Sequence, residues 1–388
     1  MKKYKMRIAN IFNDGRVGGP QRRIVQIADK LSPKGVETIM FFPYMGEELI
    51  NYISDFDIDY EIVSLTRIRL QNPVVNGLKY LVRMPVEIFQ LARSFKKNNI
   101  DVVHINGIFT IQPIFAAKLA GIPSVWHLND VTLSPKVYGN IRRLFSWLVN
   151  IKVYSAKRVV GHYLDVESSK TAILYPPVDV YKFSHPVHQQ QLLNEYPVFK
   201  KEPDEIRLLA VGNVNPTKGF IHLIKALGEI KKIDKNWKLY IVGSVLDTNI
   251  KYYEELQKEI LNSGLQDKVV FAGACKYIPD VFATSDVFIM SSVAESGPMV
   301  LIEALAAGKA VIATNVGFVD EVITNMDNGR VVPSANHKRL SEAIVEILEN
   351  DEVRSAYSAK ATESISDEFT VDSVSEKTYS VYKKLVSR

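Results

Sequence analysis

The stretch Ala294–Thr314, AESGPMVLIEALAAGKAVIAT, places two glutamates eight positions apart at the start of an apolar helix-like run. The strand-like run SDVFIMSS comes just before this stretch. The last five residues of the stretch, AVIAT, have the composition of another strand. Pro298 suits the start of a helix, with Ser296 or Gly297 near the cap. The stretch therefore predicts strand, turn, helix and strand, which is one unit of a parallel α/β sheet.

The same alternation extends through the rest of the chain. It begins at MRIANIF and continues to PSVWHL, and after a polar stretch it starts again at IRLLAVG. The polar stretch, SHPVHQQQLLNEYPVFKKEPDE, has the composition of a linker. We expect an α/β protein of two doubly wound, Rossmann-like domains, over residues 1–183 and 205–369, with a linker over 184–204. Ligands are expected at the carboxyl ends of the strands, in the central cleft between the two sheets.

Length and composition agree with a globular protein of two domains. The chain has 388 residues, of which 47% are hydrophobic and 23% charged. Its one cysteine, Cys275, excludes an intramolecular disulfide and a zinc ribbon, and it fits a reducing cytoplasm. No uninterrupted apolar run reaches ~18 residues, so no transmembrane helix is expected. The basic start, MKKYKMRIANIFNDG, has too short an apolar stretch for a signal peptide and is interpreted as a first strand.

Basic residues are concentrated in the first half of the chain. Thr66–Asn99 holds seven basic residues and one acid, and Val131–Leu164 holds six basic residues and no acid. In the second stretch they surround Phe145 and Trp147, and a helix of this kind can lie at an anionic lipid surface. We expect peripheral association with the inner face of the cytoplasmic membrane, and no nucleic-acid partner. The alternative is that the aromatic residues pack on the sheet and the basic residues form a solvated face.

Two turns that follow strands have features of phosphate sites. In NDGRVGGPQRR, Gly18 and Gly19 allow a ligand to approach the backbone, and the helix that follows favours an anion. The spacing differs from the dinucleotide pattern G-x-G-x-x-G. In VGNVNPTKGF, Lys218 can neutralise a diphosphate as a point charge. Taken alone, a glycine turn often has only a geometric role, and a lysine at a loop end is more commonly just solvated.

The third turn is the opening stretch itself. The backbone N–H groups at the start of its helix have no partner within the helix and can bind an anion. Glu295 lies before the helix and Glu303 about one and a half turns inside it, so they serve different parts of an extended ligand. A sugar at Glu295 and a ribose at Glu303, with a diphosphate between them, fits that span. Alternatively both are surface acids, although the apolar neighbours of Glu303 predict that it is partly buried and needs a partner.

In this order the motifs resemble the retaining GT-B glycosyltransferases of family 4 (glycosyl transferases group 1). The resemblance rests on the Glu-x7-Glu block and VGNVNPTKGF, and it extends over nearly the whole chain through the Gly-Gly loop, DVVHIN, YPPVDVYKF and NGRVVP. The C-terminal DEFTVDSVSEKTYSVYKKL is similar to the last helix of the family. The resemblance therefore implies that a helix over about 370–388 joins the N-terminal domain.

The resemblance implies transfer of a sugar, with retention, from a nucleotide-sugar donor bound mainly to the C-terminal domain. The expected donor is a UDP- or GDP-sugar, and the expected acceptor is a glycan or lipid-linked molecule of cell-surface polysaccharide or glycoconjugate synthesis. No metal and no cofactor are implied, because basic residues and helix N-termini take the diphosphate charge. Carried over by position, Glu295 contacts the donor sugar, Glu303 holds the ribose and Lys218 stabilises the leaving phosphate. The other donor-binding positions are Gly18, Gly19, Asn213, Ser296, Gly297, Pro298, Met299 and Val300.

Two positions depart from the family pattern. Asn213 stands where an arginine is usual, and Arg22 or Arg23 is a candidate to compensate. The histidine that is usual in the T-x-H-D segment of the family falls on Asn129, within WHLND, and His127 occupies the threonine position. His127 either takes over the catalytic role or is a satisfied strand-end histidine. Asn129, Asp130 and Arg22 are the candidates on the acceptor side.

Two other functions remain open from the sequence. A nucleotide-sugar 2-epimerase has the same two-domain architecture but needs a cluster of acids and histidines that the Glu-x7-Glu block does not predict. The departures at Asn213 and Asn129 also fit a non-catalytic subunit that binds sugar nucleotides. Nucleotide release with and without acceptor separates these hypotheses, because only a transferase turns over.

Overall fold

The computed structural model describes residues 6–67, 73–230 and 233–387, and the chain forms two compact units. The first unit comprises Met1–Pro177 and Val371–Arg388, and the second comprises Val178–Thr370. Two segments named in the sequence analysis lie partly outside the described residues. They are the basic stretch, at residues 68–72, and the chain start interpreted as a first strand, at residues 1–5. In the parts of the chain that are described, no helix has the length and apolarity needed to span a membrane.

The first unit is built on a seven-stranded parallel sheet with the strand order β3-β2-β1-β4-β5-β6-β7. Its central strands are buried along their whole length, which explains why they read as continuous apolar runs in the sequence. The direction of strand addition reverses between β1 and β4. The strands are β1 (Met6–Ile11), β2 (Val36–Phe42), β3 (Asp59–Ile62), β4 (Val102–Asn106), β5 (Ser124–Leu128), β6 (Ile151–Tyr154) and β7 (Thr171–Ile173).

Helices cover both faces of this sheet. The helices are α1 (Gly19–Leu31), α2 (Glu48–Ser54), α3 (Pro73–Lys97), α4 (Gln112–Ala120), α5 (Pro135–Phe145), α6 (Lys157–His162) and, from the far end of the chain, α16 (Val371–Val386). The connections through α1 and α2 run in one direction across the sheet, and those through α3, α4 and α5 run in the other. Because such crossovers are right-handed, α3, α4 and α5 lie together on one face and α1 and α2 on the opposite face.

The C-terminal helix α16 packs against α1 of the first unit. Lys30 pairs with Asp372 at 2.8 Å, and Lys34 pairs with Glu376. Val374, Tyr382 and Leu385 of α16 join the apolar core beneath the sheet, with Ile8 and Val102 among their neighbours in that core. The last helix thus belongs to the first unit.

The second unit has a six-stranded parallel sheet with the strand order β10-β9-β8-β11-β12-β13. The strands are β8 (Ile206–Val211), β9 (Trp237–Val242), β10 (Val269–Gly273), β11 (Val287–Met290), β12 (Ala310–Thr314) and β13 (Arg330–Val332). The helices are α7 (Val180–Ser184), α8 (Gln189–Glu195), α9 (Phe220–Gly228), α10 (Ile250–Asn262), α11 (Ile278–Ala283), α12 (Met299–Ala306), α13 (Val319–Val322), α14 (His337–Glu349) and α15 (Asp351–Ala361). Both units are doubly wound α/β layers, as the sequence predicts.

The segment 184–204 differs from the linker that the sequence predicts. It contains α8, and it packs on the second unit instead of running free between the units. The backbone N–H of His188 donates to Asp280 at 2.6 Å, and Tyr277 donates its hydroxyl hydrogen to Glu195 at 2.6 Å. Just before it, Phe183 packs edge-on against Phe282 with ring centroids 5.8 Å apart. Its polar composition reflects a surface helix on a folded unit, and the change of unit falls at residues 177 and 178.

Candidate active site

In the second unit, the turns after β8 and β11 lie side by side at the point where strand addition reverses. β8 is the first strand of this unit, β9 and β10 are added on one side of it, and β11 pairs with the other side. Ligands of open α/β sheets bind at the carboxyl ends of the strands at such a reversal. The backbone N–H of Val293 donates to the carbonyl oxygen of Thr217 at 2.7 Å, and the Ser291 hydroxyl donates to the carbonyl oxygen of Lys218 at 2.9 Å. These bonds join the two turns into one surface.

Two glycines allow this close approach. Gly219 has φ +64°, and a Cβ atom there would lie 2.1 Å from the carbonyl oxygen of Ser291. Gly212 has φ +148°, and a Cβ atom there would lie 2.7 Å from Cε of Lys218. Each position is restricted by its backbone angle and by a neighbour, so the glycines set both the turn and the path of the lysine side chain.

Lys218 and Glu295, 77 residues apart, meet at this surface. The ammonium of Lys218 donates to Oε1 of Glu295 at 2.7 Å, and the Ser292 hydroxyl donates to the same oxygen at 3.0 Å. The side chains are 20% and 17% exposed, so both are partly screened from water but accessible. The site therefore presents a cation next to an oriented carboxylate, which suits a phosphate beside a sugar hydroxyl.

Helix α12 begins one residue later than the sequence predicts. Pro298 is the N-cap, and the helix runs from Met299. Pro298 has no N–H, so the unpaired donors of the first turn start at Met299 and Val300. Ser296 and Gly297 precede the cap on the half-buried loop that carries Glu295.

Glu303 lies inside α12 and is only 7% exposed, in agreement with the burial predicted from its apolar neighbours. A carboxylate with so little access to water is held by partners within the fold or by a ligand. As the fifth of the eight residues of α12, it lies beyond the first turn, so the helix macrodipole contributes little to holding its charge.

Asn213, the position where the family resemblance leads one to expect an arginine, connects the first turn to the neighbouring strand. Its side-chain oxygen accepts a hydrogen bond from the backbone N–H of Ser244 at 3.2 Å. Asn215 next to it caps the short turn by accepting from the N–H groups of Thr217 and Lys218 at 3.0 and 3.2 Å. Both asparagines thus hold the turn that carries Lys218.

In the first unit, the turn after β1 is held by a carboxylate that the sequence did not single out. Asp14 accepts from Arg16 at 2.6 Å and from Arg67 at 3.2 Å, and Gln21 donates to its carbonyl oxygen at 3.0 Å. Burial raises the pKa of Asp14, but the hydrogen bonds and charges of the two arginines outweigh it and leave the pKa below its usual value. Gly18 is the N-cap of α1, so the Gly-Gly turn leads directly into the helix.

A buried chain of polar groups lies on α1, β4, β5 and α16 of the same unit. Arg23 donates one guanidinium N–H to Nε2 of His127 at 2.7 Å and another to Oδ1 of Asn106 at 2.7 Å. Nδ1 of His127 faces Nε2 of His104 at 3.3 Å, and Nδ1 of His104 lies 2.6 Å from the hydroxyl of Tyr382. All five side chains are buried.

The guanidinium fixes the tautomers along this chain. Because Arg23 can only donate, Nε2 of His127 must accept, and Nδ1–H of His127 then donates to Nε2 of His104. His104 in turn donates from Nδ1 to the Tyr382 oxygen. Burial lowers the pKa of His104 to about 3 and takes the pKa of His127 well below its usual value, and the charge of Arg23 adds to both shifts. Burial also lowers the pKa of Arg23 to about 10, so it stays a cation at neutral pH.

This arrangement bears on His127 as a catalytic candidate. The side chain is 1% exposed and both ring nitrogens are engaged, so in this structure it has no nitrogen left to take a proton from a substrate. Of the two roles that the sequence left open, the geometry matches the satisfied strand-end histidine. The reason is that Arg23, a core-facing residue of α1, donates a hydrogen bond to Nε2 of His127. The lone pair on this nitrogen is the one that a general base would use to accept a proton.

The three acceptor-side candidates fall on the same unit. Arg22 is exposed at the start of α1, and Asn129 is half-buried after β5. Asp130 accepts from the hydroxyl of Tyr138 at 2.5 Å and from Thr132, which ties the loop after β5 to α5. Burial, reinforced by Asp130, raises the pKa of Tyr138 to about 12, so its phenol stays a donor to this carboxylate.

The sequence reasoning missed His104, Asn106 and Tyr382 as members of a polar cluster and named Arg23 only as a possible replacement for the missing arginine. One signal was present: Arg23 occupies the core-facing side of α1 in step with Ile27. Within the described ranges, no group of three or more His, Cys, Asp or Glu side chains is arranged to hold a metal ion.

Two family models account for most of the chain. Residues 17–180 match Glycosyltransferase Family 4, and residues 194–364 match Glycosyl transferases group 1. The first match begins at the Gly-Gly turn, and the second contains both Lys218 and the Glu-x7-Glu block. The chain belongs to the GT-B glycosyltransferases of family 4.

Individual relatives of this family-4 glycosyltransferase are distant. It is 26% identical to the uncharacterized glycosyltransferase MJ1607 of Methanocaldococcus jannaschii over 59% of the chain, and it spans 58% of the length of that protein, less than two thirds. It is 21% identical to the Escherichia coli UDP-Gal:alpha-D-GlcNAc-diphosphoundecaprenol alpha-1,3-galactosyltransferase, with 70% of this chain and 72% of that one covered. Among solved structures, Anabaena Alr3699/HepE in complex with UDP-glucose is 19% identical, with a TM-score of 0.81 over 98% of this chain and all of that one.

Proposed function

We propose that this family-4 glycosyltransferase transfers a sugar from a UDP- or GDP-sugar to a glycan or lipid-linked acceptor in the cytoplasm. The proposed transfer retains the anomeric configuration, needs no metal ion, and serves cell-surface polysaccharide or glycoconjugate synthesis. The observation that carries the proposal is the contact of Lys218 with Glu295 where strand addition reverses in the second unit.

Three groups of this site would each bind a different part of the donor. Lys218 and the first N–H groups of α12 would take the charge that develops on the departing diphosphate, which is where preorganised donors contribute most. Glu295 would accept hydrogen bonds from the sugar hydroxyls, and Glu303 from the ribose. A donor of this class is supported by the UDP-glucose complex of the structurally similar Anabaena protein.

The reaction itself would proceed by attack on the same face that the leaving group departs from. The bond from the anomeric carbon to the phosphate oxygen breaks, the bond to the acceptor oxygen forms, and the acceptor proton passes to the leaving phosphate. Glu295 suits a binding role in this scheme, because its Oε1 already accepts from Lys218 and Ser292. His127 would orient the end of β5 through its bonds within the buried chain.

The acceptor class is inferred from relatives and from charge. The E. coli relative is named for an acceptor carried on diphosphoundecaprenol. Residues 1–180 of this chain hold 24 basic and 15 acidic residues, a balance that suits an anionic acceptor or its surroundings.

The test is product formation from candidate donors. Purified protein is incubated with UDP-glucose, UDP-galactose, UDP-N-acetylglucosamine or GDP-mannose, with and without glycan and lipid-linked acceptors, in the presence of EDTA. We expect acceptor-dependent nucleotide release with one donor and a product whose anomeric configuration, read by NMR coupling constants, equals that of the donor. An inverted product would overturn retention, loss of turnover in EDTA would overturn metal independence, and tight nucleotide binding without turnover would favour a non-catalytic subunit.

A further inference from the structure

The face of the first unit formed by α3, α4 and α5 carries an exposed apolar band, here called the α3 band. It consists of five side chains of α3 that are each between 58% and 67% exposed: Leu78, Leu81, Val82, Val86 and Phe89. At 100° per residue these positions fall on one side of the helix, away from the buried Tyr80, Glu87 and Leu91. Large exposed apolar patches of this kind mark interaction sites.

The band continues across the neighbouring helices. The three helices share one face of the sheet, α3 packs along α4, and Phe115 of α4 meets Phe145 of α5 with ring centroids 5.9 Å apart. Leu119, at the end of α4, is exposed, and so is Leu144 on α5. Trp147, just after α5, is 73% exposed. The sequence alternative in which this tryptophan packs on the sheet is therefore not what the structure has.

The exposed charges on α3, α4 and α5 are all of one sign. The exposed basic residues on the three helices are Lys79, Arg83, Arg93, Lys96, Lys97, Lys118, Lys136 and Arg143. The only acid on these helices is Glu87, which is 2% exposed and accepts hydrogen bonds from Thr66 at 2.7 Å and from Gln112 at 3.1 Å. The surface thus combines apolar side chains with cations and offers no exposed helical carboxylate to oppose them.

We propose that the α3 band is a docking surface for a bilayer that contains anionic lipids. Apolar side chains enter the acyl boundary while flanking Lys and Arg side chains reach the headgroups, and each basic residue near an anionic surface adds about 1 kcal/mol. A nucleic acid offers phosphates but no apolar phase for Leu78 or Phe89. A second copy of this chain, docked through the same face, would bring basic residues against basic residues.

The inference deepens the proposed function, since a lipid-linked acceptor is reached from a membrane surface, and it rests on that function only for the identity of the acceptor. Binding to vesicles is measured by sedimentation with phosphatidylcholine alone and with phosphatidylcholine containing 30 mol% phosphatidylglycerol. We expect binding to the anionic vesicles at about 0.05 M salt and much less at about 0.5 M, where the charges are screened.

Two double variants separate the apolar and the electrostatic contributions. Val82→Ser/Phe89→Ser and Lys79→Gln/Arg83→Gln change exposed side chains, so the fold remains intact. We expect the charge variant to bind about 30-fold more weakly, which is the equivalent of about 1 kcal/mol for each basic residue. The apolar variant is expected to lose at least about 10-fold. The matched control is Lys258→Gln/Leu261→Ser, which makes the same kinds of change on exposed positions of α10 in the second unit and is expected to bind like the wild type.

Trp147 reports contact directly. Of the three tryptophans, Trp126 and Trp237 are buried, so a blue shift of the emission and quenching by brominated lipid would come from Trp147 and vanish in Trp147→Phe. Failure to sediment with anionic vesicles, equal binding by all variants, or a dimer that the α3 variants dissociate would each overturn the proposal. Transfer to a water-soluble acceptor is measured on the same samples: intact transfer without vesicle binding refutes only the docking surface, and vesicle binding without transfer refutes only the proposed function.

Discussion

The contact between Lys218 and Glu295 leads to a prediction with an unusual sign: Glu295→Gln should bind free nucleoside diphosphate more tightly while transferring sugar more slowly. In the structure the ammonium of Lys218 is 2.7 Å from the Glu295 carboxylate. A diphosphate that recruits this ammonium must compete with that carboxylate and also lies near its negative charge. Glutamine keeps the shape of the side chain and removes the charge, so it relieves both effects.

The size of the gain is set by the Coulomb repulsion between the Glu295 carboxylate and the diphosphate. A carboxylate about 7 Å from a phosphate charge repels it by about 2 kcal/mol at an effective dielectric constant of 20. Partial exposure of both side chains and screening reduce this, so we expect about 1 to 2 kcal/mol, or about 5- to 30-fold tighter binding. Transfer should fall by about 10²-fold or more, because the contact to the donor sugar is lost.

Isothermal titration calorimetry with UDP or GDP at low and high salt measures the first effect, and initial rates of transfer measure the second. Glu254→Gln, an exposed acid on α10, is the control for a change in net charge. In Lys218→Met the gain in binding on adding Glu295→Gln should be smaller but still present, because the competition for the ammonium is gone while the repulsion between the carboxylate and the phosphate remains. Equal or weaker nucleotide binding by Glu295→Gln in the wild-type background would refute this reasoning.

Three further predictions concern the same turn and the buried chain. Lys218→Ala should lower the transfer rate by about 10²- to 10³-fold, more than it weakens nucleotide binding, because its charge acts most strongly on the departing diphosphate; equal losses in calorimetry and kinetics would make it a simple binding residue. Gly219→Ala should destabilise the protein by about 3 kcal/mol or more in urea unfolding, since its Cβ meets a carbonyl oxygen at 2.1 Å, whereas Gly264→Ala, at nearly the same φ but in open space, should cost only about 1 kcal/mol. Because the pKa values of His104 and His127 are lowered in the fold, the unfolded chain binds protons at acidic pH that the native state does not bind. The free energy of unfolding should therefore be highest above about pH 6.5 and fall by about 1.4 kcal/mol per pH unit for each histidine between about pH 6 and 4. Urea unfolding of His104→Gln over this pH range should show a flatter profile.

The sheets were predictable from the sequence wherever burial imposes a pattern. Strands such as β11 and β12 are buried on both faces and so form unbroken apolar runs. β3 is an edge strand with mostly exposed side chains, and α8 buries only Leu192, so neither has a pattern that stands out from a loop. The first half of α3 has no apolar stripe typical of a helix face turned to the core, because Leu78, Leu81 and Val82 are exposed.

The site was predictable one turn at a time but not as a set of contacts. Each glycine turn and acid is visible along the chain, yet the meeting of Lys218 with Glu295 depends on β8 and β11 becoming neighbours in the sheet. The buried chain is harder still, since Arg23 and Tyr382 are 359 positions apart and the position of Arg23 on the core-facing side of α1 does not indicate its partners. Nothing short of the packing of α16 brings them together.

Because α16 belongs to the first unit, the order of translation determines which unit can complete its fold first. The ribosome synthesises all of Val178–Thr370 before Tyr382, so the second unit is a continuous segment that can fold while the first still lacks its final helix. Until α16 arrives, His104 has no phenol to receive its hydrogen bond, and the apolar core shared with Val374 and Leu385 is open to water. The N-terminal portion of the nascent chain therefore stays incomplete until its last segment has been translated, which makes it the part of this protein least suited to expression as an isolated fragment.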